Sequence, residues 1–178
     1  MQAGQIKIEP KPKPEPDAYA STSVDLKLAK DLLEFKQDIK TPGLPDRDVV
    51  DPSESGFRFD QLAKLVTDRA EISGEGFMLN PNQFVLGWTE ESVALLTSSR
   101  IAARVEGKSS LARLGVCIHI TAPTIHAGFQ GRIQLEIKNH GSMRIKLRVG
   151  MPICQLIFEQ TLGTPEKGYS GQFLHQGR

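Results

Sequence analysis

A succession of short apolar segments between Phe77 and Glu159, most set apart by glycine or asparagine turns, constrains this fold more than any other feature. Phe77 to Leu79, an Asn80-Pro81-Asn82 turn and Phe84 to Trp88 read as a hairpin. Ile101 to Val105, Val116 to Thr121, Arg132 to Lys138, Met143 to Val149 and Ile153 to Glu159 read as further strands. Upstream, Ser23 to Leu28 alternates with Val24, Leu26 and Leu28 on one face, which predicts the first strand. A short helix capped by Asp60 is expected through Asp68, because Leu62, Leu65 and Val66 share a face. Many short strands at close spacing favour a mainly β fold, an antiparallel barrel or jelly roll with one or two short helices. A parallel α/β sheet is disfavoured.

The chain has 178 residues, enough for one domain with a real core and too few for two. Its net charge of +1 gives no global field toward nucleic acid, so any phosphate site must come from a local cluster. Cys117 and Cys154 sit among apolar neighbours and read as buried small hydrophobes. Neither belongs to a Cys-x-x-Cys pair and no His-x-Glu precedes one, which excludes the zinc site of common nucleobase deaminases. The polar, Pro-rich start shows no secretory signal and no segment long enough to span a membrane, so a cytoplasmic protein is expected.

Three regions follow. Residues 1–20 form an extended arm, since proline at every second position from Pro10 to Pro16 forbids a helix. Residues 21–160 form the barrel, interrupted by a Pro-, Asp- and Gly-rich loop from Gln37 to Gly56. Residues 161–178 are polar and Gly-rich and form a flexible tail.

Chemistry concentrates between Glu106 and Glu136. Lys108-Ser109-Ser110 and Arg113 follow a strand and a glycine, and hydroxyls with cations can hold phosphate oxygens. The same serines also make an ordinary helix-capping sequence. The Gly-x-x-x-x-Gly-Lys pattern of a Walker loop is missing. In Arg132 to Lys138, Ile133, Leu135 and Ile137 face one way and Glu136 shares the other face with Gln134. Such a carboxylate is usually just solvated; lining a cleft, it becomes a candidate general base. His126 stands in a turn, either as a polar turn residue or a ligand contact. Gln155 is polar inside an apolar run and needs a partner. Lys167 to Gln172 is either a disordered end or a lid.

Gly107-Lys-Ser-Ser-Leu-Ala-Arg-Leu-Gly115, His119-Ile-Thr-Ala122, Gly128-Phe-Gln-Gly131, Ile133-Gln-Leu-Glu-Ile-Lys-Asn139 and Arg148 to Glu159 resemble the dCTP deaminases, within the dCTP deaminase and dUTPase superfamily. Ser23-Val-Asp-Leu26 and Glu91-Ser-Val93 extend the resemblance. It implies a distorted, dUTPase-like β-barrel and a homotrimer with active sites between subunits. It also implies zinc-free deamination of dCTP to dUTP, with Mg²⁺ carried by the triphosphate. Glu136 falls at the catalytic glutamate, which would take a proton from the attacking water and return one to the amine. Thr121 and Ala122 fall where base and water are positioned. Lys108, Ser109, Ser110 and Arg113 match the phosphate block, with Lys108 in place of an arginine fork. Gln155 matches a nucleotide contact, and Gln134 joins the substrate-binding set. Lys167, Tyr169 and Gln172 belong to the closing tail. His126 replaces an aspartate that faces the sugar, and Gly168 replaces the tail lysine. dTTP is a candidate inhibitor in this scheme.

The first expectation is therefore a dCTP deaminase. A bifunctional enzyme carrying dCTP through to dUMP is the alternative, because the tail resembles the Tyr-x-Gly-Gln endings of bifunctional members. A pure dUTPase has no need for Glu136. A third reading is a non-catalytic nucleotide-binding regulator.

Overall fold

The computed structural model describes residues 4–13, 18–36 and 49–171. Pro14 and Pro16, the 37–48 part of the long loop, and Gln172 with the residues after it lie outside that set. The strands are β1 (Ile6–Glu9), β2 (Ser23–Phe35), β3 (Thr67–Glu71), β4 (Phe77–Leu79), β5 (Phe84–Leu95) and β6 (Ile101–Gly107). They continue with β7 (Val116–Cys117), β8 (Thr124–Ile125), β9 (Gln130–Asn139), β10 (Ile145–Leu147) and β11 (Pro152–Gln160). Two helices, α1 (Phe59–Val66) and α2 (Ser109–Ala112), interrupt them.

The main sheet runs β7-β9-β5-β2-β11-β6-β8, with β1 added to β5 and β3 to β2, every pair antiparallel. Strand β2 is its spine: its first half pairs with β11 and its second with β3 and β5. Register shifts at Leu28/Leu32, Trp88/Ser92 and Pro152/Cys154 bend these long strands. Such bulges sharpen local twist and let a sheet curl on itself. The result is a curled, distorted half-barrel of the mainly β class, closed around Leu26, Leu28, Leu32, Val93, Leu135, Ile137, Ile153 and Leu156.

The bulge in β5 is held by named groups. The fully buried Thr89 hydroxyl donates to the Glu91 carbonyl (2.7 Å) and accepts the Ile133 N–H (3.0 Å). Arg132 donates to the Thr89 carbonyl at 2.7 Å and reaches Asp31 at 3.3 Å.

Several expectations need correction. Phe77–Leu79 and Phe84–Trp88 do not form a hairpin; β4 pairs with β10 in a separate ribbon, and β5 joins the main sheet. The buried Asn139 drives them apart. Its amide bonds Leu79 O and Met143 O, while its carbonyl accepts the N–H of Asn82, which sits at φ 61°. Asp60 does not cap α1. Arg58 precedes the helix, no side chain caps it, and Asp60 lies in the first turn beside Arg58. The helix stops at Val66 because β2 recruits Thr67–Glu71 as a strand, and the buried face is Ala63 and Val66, with Leu65 exposed. The strand expected over Val116–Thr121 ends at Cys117. Strands β1, β3 and β8 arise where the sequence marked an arm, a helix end and a turn. Among the described residues no helix is long and apolar enough to cross a membrane.

Candidate active site

A cleft of about 250 Å³ opens beside β9, lined by Glu136, Gln134, His119, Ala122, His126, Phe129 and Tyr169 among others. Alternation along β9 buries Ile133, Leu135 and Ile137 in the core and turns Gln134 and Glu136 toward this cleft. The loss of strand structure after Cys117 has a purpose visible here. The Ile120 N–H leaves the ladder and donates to Glu136 Oε2 at 2.8 Å, while the Glu136 N–H reaches Ile118 O at 3.1 Å. Among the described residues the second carboxylate oxygen carries no hydrogen bond. The carboxylate is therefore oriented by backbone and keeps one oxygen free of hydrogen bonds among the described residues, at a half-buried position facing the cleft.

The opposite wall is built by the turn after β8 and by the tail. His126 stacks on Tyr169 with ring centroids 5.6 Å apart and planes inclined by 15°, and Phe129 packs against the same tyrosine at 6.3 Å. The Tyr169 N–H donates to Ala127 O at 2.9 Å, tying the tail to this turn. Gly128 has φ +89°, and a Cβ there would lie 2.7 Å from the Tyr169 nitrogen. A Cβ at Gly168 would meet Thr97 Oγ1 at 2.6 Å. A side chain at Gly128 would strain the backbone and press on the tail, and one at Gly168 would force Thr97 to move. Lys167 is exposed and lines an adjoining hollow with His126, Tyr169 and Ser170. Gln172 lies outside the described residues.

None of the residues expected to hold phosphate lines this cleft. Ser109 and Ser110 open the single-turn α2, where neither caps the helix, and both are exposed, as is Arg113. The Lys108 ammonium pairs with Asp25, and Gln155 Nε2 donates to the other Asp25 oxygen at 3.2 Å. Among the described residues no hydrogen bond or ion pair joins this group to Glu136, His126 or Tyr169. Thr121 is exposed beside the cleft, and Ala122 lines it.

Some site residues were not assigned a role from sequence. His119 lines the cleft with a buried, unpartnered Nδ1, and its Nε2 lies 3.8 Å from Glu106. Its place in the His119-Ile-Thr-Ala122 block was the one signal of it in the sequence. Phe129 stood only within the Gly128-Phe-Gln-Gly131 block, and Asp25 only within Ser23-Val-Asp-Leu26. The cysteines divide: Cys154 is fully buried, and burial pushes its thiol far up, whereas Cys117 is half-buried and donates to His119 O. Among the described residues no trio of His, Cys, Asp or Glu is placed to hold a metal ion.

A curled antiparallel sheet with a carboxylate-bearing cleft defines a dUTPase-like fold, and solved structures agree. A 2′-deoxycytidine 5′-triphosphate deaminase from Agrobacterium tumefaciens superposes with a TM-score of 0.62 at 22% identity, covering 86% of this chain and 43% of that one. A Staphylococcus bacteriophage 80alpha dUTPase gives 0.51 at 12% identity over 94% of this chain and 97% of its own. The chain belongs to the dCTP deaminase-like family, whose model matches residues 1–161. A relative from Methanobrevibacter smithii, named dCTP deaminase, dUMP-forming, is 38% identical over 93% of this chain and 77% of its own length. One of the same name from Persephonella marina is 37% identical over 87% and 77%. A relative from Halorubrum lacusprofundi, named dCTP deaminase, is 36% identical over 83% and 66%.

Proposed function

We propose that this protein acts on dCTP and carries it to dUMP, consuming two waters and releasing ammonia and pyrophosphate. Glu136 carries the reading: one oxygen is fixed by the Ile120 N–H and the other is unbonded among the described residues, at a cleft sized for a base and sugar. In the proposed reaction Glu136 takes the proton of a water attacking C4 of cytosine and returns one to the departing amine, with no zinc required. Thr121 and Ala122 border the base and water, and His126 with Gln134 borders the sugar and ring. The names of the Methanobrevibacter and Persephonella relatives favour the dUMP-forming course over release of dUTP.

Lys108, Ser109, Ser110, Arg113 and Gln155 hold the phosphates in this reading. No hydrogen bond or ion pair joins them to Glu136 among the described residues, which supports a reading in which copies of a homotrimer complete each other's sites. Lys167, Tyr169 and Gln172 close over the nucleotide. No carboxylate cluster is available among the described residues, so Mg²⁺ fits as an ion held chiefly by triphosphate and water. When bound, it would neutralise phosphate charge.

One observation favours a deaminase that stops at dUTP: His126 stands at the position where the resemblance puts a water-assisting aspartate. Incubation with dCTP and Mg²⁺ followed by ion-exchange separation decides. The expected products are dUMP and pyrophosphate. Accumulating dUTP selects the deaminase alone, and bound dCTP without product selects a regulator.

A further inference from the structure

Asp25 lies where β2, β11 and β6 meet, and the chemistry above does not use it. It faces Gln155 across the β2–β11 pair, and Gln155 in turn faces Glu106 across β11–β6. Lys108, two residues beyond Glu106, reaches back over the sheet to the same carboxylate. Each Asp25 oxygen is thus occupied by a different partner, Oδ2 by the Lys108 ammonium and Oδ1 by Gln155 Nε2. The side chain of Asp25 is 9% exposed and that of Lys108 is 23% exposed, so the pair is shielded from water.

We propose that Asp25 is a positioning residue for the phosphate-binding block, gathering Lys108 and Gln155 onto one carboxylate so that both present their remaining donors to an oxyanion. The inference rests on the nucleotide reading of that block. An ammonium has three donors and a carboxamide two, so each partner spends one on Asp25 and keeps at least one for a ligand. The tether also suits a lysine at this position. A guanidinium is organised by its own planar fork, whereas a lysine is a point charge on a flexible stem. A buried anion at its tip fixes that stem before the ligand arrives, which lowers the ordering cost of binding.

Steady-state kinetics on the full chain with dCTP and Mg²⁺ test this. Asp25→Asn keeps the shape and an acceptor for Gln155 but releases the ammonium. It is expected to raise KM about tenfold with kcat within about threefold, the signature of lost uniform binding. Lys108→Arg in the Asp25→Asn background is expected to bring KM back to within about threefold of wild type, because the fork needs no tether. A KM within about twofold of wild type in Asp25→Asn overturns the proposal, as does a double variant no better than the single. Should Asp25→Asn fail to fold, Asp25→Glu retains the charge and displaces it by one methylene. The same rise in KM is expected there, and an unchanged KM overturns the proposal. Wild-type protein that neither binds nor turns over dCTP would overturn the nucleotide reading itself, and this inference with it.

Discussion

Glu136 accepts the Ile120 N–H through Oε2, and a glutamine there would still offer an oxygen to that donor. Glu136→Gln should therefore fold normally and bind dCTP within about tenfold of wild type, while deamination falls at least about 100-fold through loss of the base. Product formation at the wild-type rate would remove Glu136 from the mechanism. Glu91 makes a different argument at the same scale. It is buried against the Lys27 N–H, and burial raises its carboxyl above the ordinary range. A carboxyl whose folded pKa is raised binds its proton more tightly in the folded state. Stability is then full below the unfolded pKa and declines as pH rises through the folded one. Glu91→Gln keeps an acceptor for Lys27 and removes the titration. Its melting temperature should exceed wild type at pH 7.5, with the gap closing near pH 4; a gap independent of pH would refute the assignment. Both carboxylates sit on strands, yet only Glu136 stood out from sequence as a candidate for chemistry. Its alternation with Ile133, Leu135 and Ile137 set it on the polar face, and the neighbouring residues resembled a known pattern. Asp25 alternates in the same way but its outward face is covered by Lys108 and Gln155, partners more than 80 residues away that periodicity does not disclose.

Strand identity was easier to read than strand partnership. Apolar patterning located β6, β9, β11 and the first parts of β2 and β5; in β9 every second residue is buried, so the period of two is kept throughout. What escaped was set by side chains acting at a distance. Asn139 splits the expected hairpin by bonding Leu79 and Met143, and pairing with Asp31–Phe35 takes Thr67 onward away from the helix. Bulges are equally silent in sequence, though the one in β5 decides how that strand passes the cleft. Thr89 satisfies two backbone groups there with a single hydroxyl. Thr89→Val keeps the shape and leaves the Ile133 N–H and the Glu91 carbonyl without that partner. A loss of about 3 kcal/mol is expected, at about 1–3 kcal/mol per buried group left unsatisfied. Urea denaturation measures it, and a loss under about 0.5 kcal/mol would show that the bulge is held by Arg132 and packing instead.

Across the whole molecule, Glu136 lines the cleft, while Lys108 is tied to Asp25 and Arg113 is exposed after α2, and neither of these cations lines that cleft. The homotrimer proposed above accounts for this, with each site drawing Glu136 from one copy and the phosphate block from another. Two impaired variants then test the arrangement together at low dCTP. Glu136→Gln lacks the base, and Arg113→Ala is expected to weaken triphosphate binding by about 2 kcal/mol, the scale of a charge-assisted hydrogen bond. Co-expressed in equal amounts, the two chains assort at random, and a site is intact only where a copy with Glu136 adjoins a copy with Arg113. Each condition holds half the time, so about one quarter of wild-type turnover should return at low dCTP. A mixture only as active as the average of its parents would place Glu136 and Arg113 in the same chain's site, and the trimer would lose its catalytic reason.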